Sequence, residues 1–103
     1  MKRVVWSDSA VEEFGSVVTY IARDNPAAAI SVADRLEAAV LALAELPTGR
    51  KGRIADTYEK VVSGLPYIIA YALSDEPPEG GTLTVLRIIH GARDWPEGSW
   101  PGD

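Results

Sequence analysis

The apolar residues of this chain change their spacing at Leu46-Pro47, and this change constrains the fold more than any other feature. Before it, apolar residues recur every three or four positions, which is the period of an amphipathic helix. After it, β-branched and aromatic residues form short runs between turn-forming residues, as they do in strands. Helices followed by strands in 103 residues predict one α+β domain in which the helices cover one face of a sheet.

Two helices are expected before the change. In the first, apolar residues follow the i, i+3, i+4, i+7 pattern from Val11 to Ile21, and Ser7 or Ser9 can cap its N-terminus. The segment "RDNP" ends this helix, because a residue before proline avoids the helical region, and Pro26 suits the first turn of the next. The second helix is rich in alanine, and so short a link predicts an antiparallel helical hairpin.

Four segments are expected to form strands: "RVVW" before the helices and "ADTYEKVV", "YIIAYAL" and "TLTVLRII" after them. The last three are joined by turn-forming segments and predict an antiparallel meander, with "YIIAYAL" as a central strand. The predicted order is β-α-α-β-β-β, with the hairpin packed on a mainly antiparallel sheet of three or four strands. The position of the first strand in the sheet stays open. Residues 1–96 are expected to form the domain, and residues 97–103 a loose C-terminal tail.

Composition excludes several classes of protein. The chain has no cysteine, so disulfides and cysteine-based zinc sites are absent. Carboxylates are scattered without metal-ligand spacing near the single histidine, and we expect no metal and no cofactor. No apolar run approaches the roughly 20 residues of a membrane span, and the N-terminus lacks the pattern of a signal peptide. We therefore expect a cytoplasmic protein without a membrane partner.

Only one segment carries a net positive charge. The net charge is −5, which disfavours nucleic acid as a ligand. Residues 47–63, however, carry four basic and two acidic residues, net +2. The basic loop "GRKGR" within them supplies Arg50, Lys51 and Arg53 as candidate contacts to a partner. A solvated loop without a partner is the alternative interpretation.

The stretch "RIIHGARDWP" carries the only histidine, His90, where the last strand ends. Histidine changes charge near neutral pH, so His90 is a candidate general acid or base. The alternative is a strand end whose histidine contacts a neighbouring residue. Strand alternation places Arg87 on the face opposite His90, so the two are not expected to share a site.

These segments together resemble the bacterial RelE/ParE toxin superfamily, particularly its RelE/StbE-like branch. The resemblance covers nearly the whole chain, in the order "VVWSDSAVEEF", "YIARDNPAAA", "LPTGRKGRIADTYEKVVSGLPYIIAY" and "LRIIHGARDWP". It implies a toxin of a type II toxin–antitoxin pair, held inactive by an antitoxin encoded beside it.

The resemblance implies one of two targets. RelE-like members cleave messenger RNA on the ribosome, whereas ParE-like members poison DNA gyrase. A metal-free ribonuclease must activate the ribose hydroxyl, stabilise the phosphorane and protonate the leaving oxygen. By resemblance, Arg93 stands where a phosphate-stabilising arginine occurs and Arg53 lies in the loop of catalytic lysines, while His90 is a candidate for the missing acid or base. Ser63 and Trp95 stand where basic residues are expected, and no tyrosine follows, so the nuclease set is incomplete.

Three functions therefore stay open: a toxin acting by contact with a protein or the ribosome, an mRNA endonuclease using Arg53, His90 and Arg93, and a degenerate homologue that only binds antitoxin. The predicted contacts with antitoxin or nucleic acid are Arg50, Lys51, Arg53 and Trp95, since exposed tryptophans often mark interfaces. An amphipathic antitoxin helix is expected in an apolar groove of the hairpin. The residues predicted to line this groove are Val18, Ile21, Ala39, Ala42 and Leu46.

Overall fold

The computed structural model describes residues 1–75 and 80–91. The order of elements predicted from the sequence is confirmed, with one short strand added. The elements are β1 (Arg3–Trp6), α1 (Asp8–Ala22), α2 (Pro26–Glu45), β2 (Arg50–Lys51), β3 (Tyr58–Val61), β4 (Tyr67–Ser74) and β5 (Thr82–His90). The predicted tail, residues 97–103, lies outside the described residues.

Side-chain caps fix where both helices begin. Ser7 is the N-cap of α1: its hydroxyl accepts the N–H of Ala10 at 3.0 Å and donates to the carbonyl of Leu86 in β5 at 2.8 Å. Asn25 caps α2 by accepting the N–H of Ala28 at 3.0 Å, with Pro26 in the first turn. Ser7 therefore joins the start of α1 to the sheet, a role that Ser9 does not have.

The sheet has five strands in the order β1-β5-β4-β3-β2. The last three strands form the predicted antiparallel meander, and β2 extends it antiparallel to β3. The first strand, whose position the sequence left open, lies parallel to β5, with Arg3 opposite Thr82 and Trp6 opposite Val85. The fifth strand is the two-residue β2, which forms inside the predicted basic loop because Arg50 and Lys51 pair with Glu59 and Tyr58.

A β-bulge interrupts the pairing of the two longest strands. Ala70 lies opposite Arg87 and Tyr71 opposite Val85, so Leu86 is the extra residue in β5. The bulge keeps the core-facing residues of both strands on the helical side. The core between sheet and helices consists of Ala10, Leu36, Val40, Leu43, Val62, Ile69, Tyr71, Leu83, Val85 and Ile88.

Strand β4 is buried on both faces. Ile69 and Tyr71 face the helices, whereas Ile68 and Ala70 lie on the opposite face by strand alternation, and all four are buried. The continuous apolar run that predicted a central strand is explained by this two-sided burial.

Candidate functional site

A groove runs between α1 and the ends of β4 and β5. It has a volume of about 770 Å³ and is open to solvent. One wall is the side of α1 from Glu13 to Tyr20, and the other is formed where β4 begins and β5 ends. The lining residues are Glu13, Ser16, Val17, Tyr20, Tyr67, Arg87, Ile88, Ile89 and His90.

An arginine–carboxylate pair closes one side of this groove. The Nε of Arg87 donates to both carboxylate oxygens of Glu13, at 2.8 and 3.0 Å, and its Nη2 lies 2.7 Å from Oε2. The same carboxylate accepts the backbone N–H of Ile88 at 3.1 Å. Strand β1 ends at Trp6, so it offers no backbone partner to β5 at this level, and Glu13 takes its place. The carboxylate therefore joins α1 to the uncovered edge of β5.

His90 and Arg87 line the same groove, so the prediction that they would not share a site was wrong. Alternation alone placed them on opposite faces. The long side chain of Arg87, however, reaches over the edge of β5 toward Glu13. His90 packs edge-on against the ring of Tyr67, with ring centroids 5.6 Å apart and an interplanar angle of 87°. The N–H of Gly91 donates to the carbonyl of Pro66 at 2.7 Å, which ties the end of β5 to the turn that precedes β4.

Arg53 is held by a buried glutamate of β3. The backbone N–H, Nε and Nη2 of Arg53 donate to the Glu59 carboxylate at 3.0, 3.0 and 3.1 Å. Burial raises the pKa of Glu59, but the hydrogen bonds and charge of Arg53, together with the charge of Arg50, outweigh it and hold the pKa below its ordinary value. The guanidinium of Arg53 is therefore matched by a carboxylate at short range, while Arg50 and Lys51 are exposed at the edge of the sheet.

The structure separates Arg53 from His90. Glu59, which binds Arg53, pairs with Ala70 and shares its face of the sheet, the face opposite the helices. His90 pairs with Tyr67 and lies on the helical face. The two residues were predicted to act together, but the sheet lies between them. Arg93 and Trp95, the other predicted site residues in this region, lie outside the described residues.

Glu59 and Tyr71 are polar residues whose roles the sequence did not indicate. The Tyr71 hydroxyl accepts the N–H of Gly49 at 2.9 Å, and its ring stacks on Tyr58 with centroids 5.5 Å apart. Burial raises the pKa of Tyr71; the Gly49 hydrogen bond lowers it less than this, and Tyr58 adds to the increase. Gly49 is required here because a Cβ would meet the Tyr71 hydroxyl and the Glu59 carbonyl oxygen. Both polar residues thus hold the basic segment against the sheet, a role that depends on neighbours far along the chain.

A second groove, smaller and more apolar, lies between β1, α1 and α2. Its volume is about 380 Å³, and the side chains of Val11 and Leu41 at its rim are 56% and 52% exposed. The groove predicted from the sequence has a different lining. Because the helices are antiparallel, the C-terminal end of α1 and the C-terminal end of α2 lie at opposite ends of the hairpin, so the five predicted residues do not meet. The residues that line the observed groove are Val4, Trp6, Val11, Phe14, Glu37, Val40 and Leu41.

Comparison with known proteins gives the family. A family model described as the ParE toxin of the type II toxin–antitoxin system parDE matches residues 4–95. The chain belongs to the ParE toxin family. It is a toxin of a type II toxin–antitoxin system, and membership of the family implies an antitoxin partner.

Two relatives agree with this assignment, and a solved structure has the same fold. The toxin is 38% identical to the protein Y4kP of Sinorhizobium fredii over 97 residues, 93% of this chain and 95% of that protein. It is 36% identical to Toxin RelE2 of Caulobacter vibrioides over 94 residues, 90% of this chain and 99% of that protein. A chain from the chromosomal ParDE system of P. aeruginosa has the same fold, with a TM-score of 0.73 and 15% identity over 85% of this chain and 94% of that one.

Two further observations concern the described part of the toxin. Neither helix within it combines the length and apolar character needed to cross a bilayer. Residues 1–75 and 80–91 contain no group of three or more histidine, aspartate or glutamate side chains placed to hold a metal ion.

Proposed function

We propose that this toxin arrests bacterial growth by binding a protein target rather than by cleaving messenger RNA. DNA gyrase is the target that resemblance to ParE-like toxins implies. The observation that carries this proposal is the separation of the candidate catalytic groups: Arg53 binds Glu59 on one face of the sheet, and His90 lies on the other.

The chemistry of RNA cleavage supports the same proposal. Stabilising a phosphorane requires a cation whose charge and donors are directed at the phosphate. In the described residues, Arg53 and Arg87 direct their guanidinium groups at the carboxylates of Glu59 and Glu13 instead. The net charge of −5 also disfavours docking on ribosomal RNA, because phosphate contacts supply most of such affinity.

The antitoxin is proposed to occupy the apolar groove between β1, α1 and α2. An amphipathic helix inserts apolar anchors at i, i+3, i+4 and i+7 into a groove of this kind. The exposed rims at Val11 and Leu41 offer such anchors an apolar surface that the described residues leave open to solvent. Arg50 and Lys51, exposed on the edge strand β2, remain the proposed contacts for acidic residues of the antitoxin.

A second candidate is mRNA cleavage by Arg53, His90 and Arg93. It is favoured by the similarity to a protein named Toxin RelE2 and by the position of His90 in an open groove. The degenerate homologue that only binds antitoxin is the third. One set of measurements distinguishes all three.

The test starts with expression of the toxin in a bacterial host, with and without the protein encoded beside it. We expect growth arrest that the neighbouring protein relieves. In vitro, the full chain should inhibit supercoiling by gyrase and leave ribosome-bound messages intact, and Arg93→Ala should not restore growth unless it also prevents folding. Cleaved messages with uninhibited gyrase would support the nuclease instead, and normal growth with verified folded toxin would support the degenerate homologue.

A further inference from the structure

The solvent-facing side of α1 carries an unusual set of residues. Along this side, which we call the α1 outer face, six exposed residues border a shallow depression of about 450 Å³. The depression joins the larger groove, since Ser16 and Tyr20 line both. The α1 outer face consists of Glu12, Gly15, Ser16, Thr19, Tyr20 and Arg23.

Gly15 lies in the middle of α1, and no packing contact in the described part of the chain requires a glycine there. Glycine in a helix interior is less favourable than alanine because its backbone loses more conformational freedom. Elsewhere in the fold a Cβ on glycine would meet a neighbour, as at Gly49, but at Gly15 no atom of residues 1–75 and 80–91 outside the adjoining helix backbone lies within 4 Å of the Cβ position. The missing side chain therefore makes room on the outside of the molecule, where another backbone can approach closely.

Tyr20 protrudes from the same face on which Gly15 leaves a gap. Its side chain is 71% exposed, the highest fraction among the large apolar and aromatic residues described. It stands one helical turn beyond Ser16, at the border between the depression and the groove. A tyrosine in this position offers a large apolar ring with a polar end, which is typical of protein interfaces.

We propose that the α1 outer face binds a second copy of this chain, with the two α1 helices packed antiparallel about a two-fold axis. Glu12 and Arg23 stand eleven residues apart, at opposite ends of the face. Antiparallel packing centred between Val17 and Val18 places Glu12 of each copy opposite Arg23 of the other, so two ion pairs form by symmetry. Neither Glu12 nor Arg23 has an ion pair within residues 1–75 and 80–91.

The same register accounts for the other residues of the face. The small residues Gly15, Ser16 and Thr19 lie at the centre, where the two helices approach most closely. Tyr20 of each copy lies over Gly15 of the other, next to the mouth of the groove that Ser16 lines. An isologous interface must match itself in shape and in charge, and this face does both: each protruding ring meets an opening, and each charge meets its opposite.

The expected affinity is low. Two helices that cross over a few turns bury less than the roughly 1,200–2,000 Å² of a stable interface. We therefore expect a dimer that forms in the micromolar range and that competes with any partner needing α1. An antitoxin helix is the other possible occupant, and the variants below separate the two.

The experiment measures the oligomeric state of the full chain by sedimentation velocity, from about 10 to about 300 µM, a range suited to so small an interface. Cell-free synthesis avoids toxicity to a host. Wild type should shift from monomer to dimer over this range. Glu12→Arg and Arg23→Glu should each weaken dimerisation by at least tenfold, because each places like charges opposite one another, and the double variant Glu12→Arg/Arg23→Glu should restore it.

The matched control is Glu45→Arg, the same change at an exposed position of α2, which should leave dimerisation unchanged. A second variant, Gly15→Leu, separates folding from association. It should raise the melting temperature by about 4 °C, because leucine favours the helix more than glycine does, and it should abolish the dimer. Wild type that stays monomeric over the whole range would overturn the proposal. So would a folded double variant that fails to recover, which would assign the face to a different partner.

Discussion

Replacing Arg53 by methionine tests whether the Arg53–Glu59 pair stabilises the fold. The substitution keeps most of the apolar side chain but removes the guanidinium and two of its three hydrogen bonds to Glu59, from Nε and Nη2. The third, from the backbone N–H at 3.0 Å, remains. A carboxylate whose side chain is 2% exposed is then left without its counter-ion.

The expected loss of stability in Arg53→Met follows from this geometry. Breaking a fully buried ion pair by removing one partner costs about 3–5 kcal/mol. Here one hydrogen bond to the carboxylate survives, and the Arg53 side chain is 25% exposed, so water can partly replace it. We therefore expect the free energy of unfolding to fall by about 2–3 kcal/mol, which is less than the full cost of breaking a buried pair. In a domain of this size, that lowers the melting temperature by about 10–20 °C.

The pH dependence gives a second, independent readout. The pKa of Glu59 in the folded toxin lies below its ordinary value of 4.5. The pair therefore contributes its full stability above that value and loses it as the pH falls through the lower, folded pKa. The difference in the free energy of unfolding between wild type and Arg53→Met should be largest near neutral pH. It should become smaller under acid conditions, because Glu59 becomes protonated in both proteins.

Urea unfolding across this pH range measures both effects. Lys51→Met is the matched control, because Lys51 is an exposed cation two residues away, and it should change stability by no more than about 0.5 kcal/mol. The double variant Arg53→Met/Glu59→Gln should be more stable than Arg53→Met, since it removes the unpaired buried charge. If Arg53→Met costs no more than Lys51→Met, or if its cost is independent of pH, the pair does not hold the basic segment as argued.

Two further variants test other contacts. Tyr71→Phe should lower unfolding free energy by about 1–2 kcal/mol, because the N–H of Gly49 loses its acceptor; Tyr58→Phe, in the same ring pair, is the control and should have little effect in urea unfolding. Leu41→Glu, at the rim of the apolar groove, should weaken antitoxin binding at least tenfold, or about 1.4 kcal/mol by calorimetry. Ile30→Glu, on the same helix, 65% exposed and outside the groove, is the control and should not weaken antitoxin binding. Equal losses of affinity for both variants would place the antitoxin elsewhere.

The order of elements could be predicted because it depends on local patterns. The helix period before Pro47 and the two-sided burial of the "YIIAYAL" strand are both visible in a single segment. The parallel pairing of β1 with β5 and the strand β2 were not predicted, since each requires a partner strand distant in sequence. The site was predicted less well for the same reason. Nothing local shows that Glu59 neutralises Arg53, or that β1 ends early enough for Arg87 to reach over the edge of β5 to Glu13.

The ion pairs of Arg53 and Arg87 also explain why a toxin with a net charge of −5 contains a segment that is basic in sequence. Arg53, in the loop after β2, and Arg87, within β5, each bind a carboxylate. The first pair fastens a loop to a strand, and the second fastens a helix to a strand. The exposed cations of the segment are then Arg50 and Lys51, too few for the phosphate contacts that give nucleic-acid binding its affinity. The exposed surface instead offers apolar rims at Val11 and Leu41. A basic segment with only two exposed cations among its described residues, on a molecule with open apolar grooves, is suited to binding protein, which is why the proposed target and the proposed partner are both proteins.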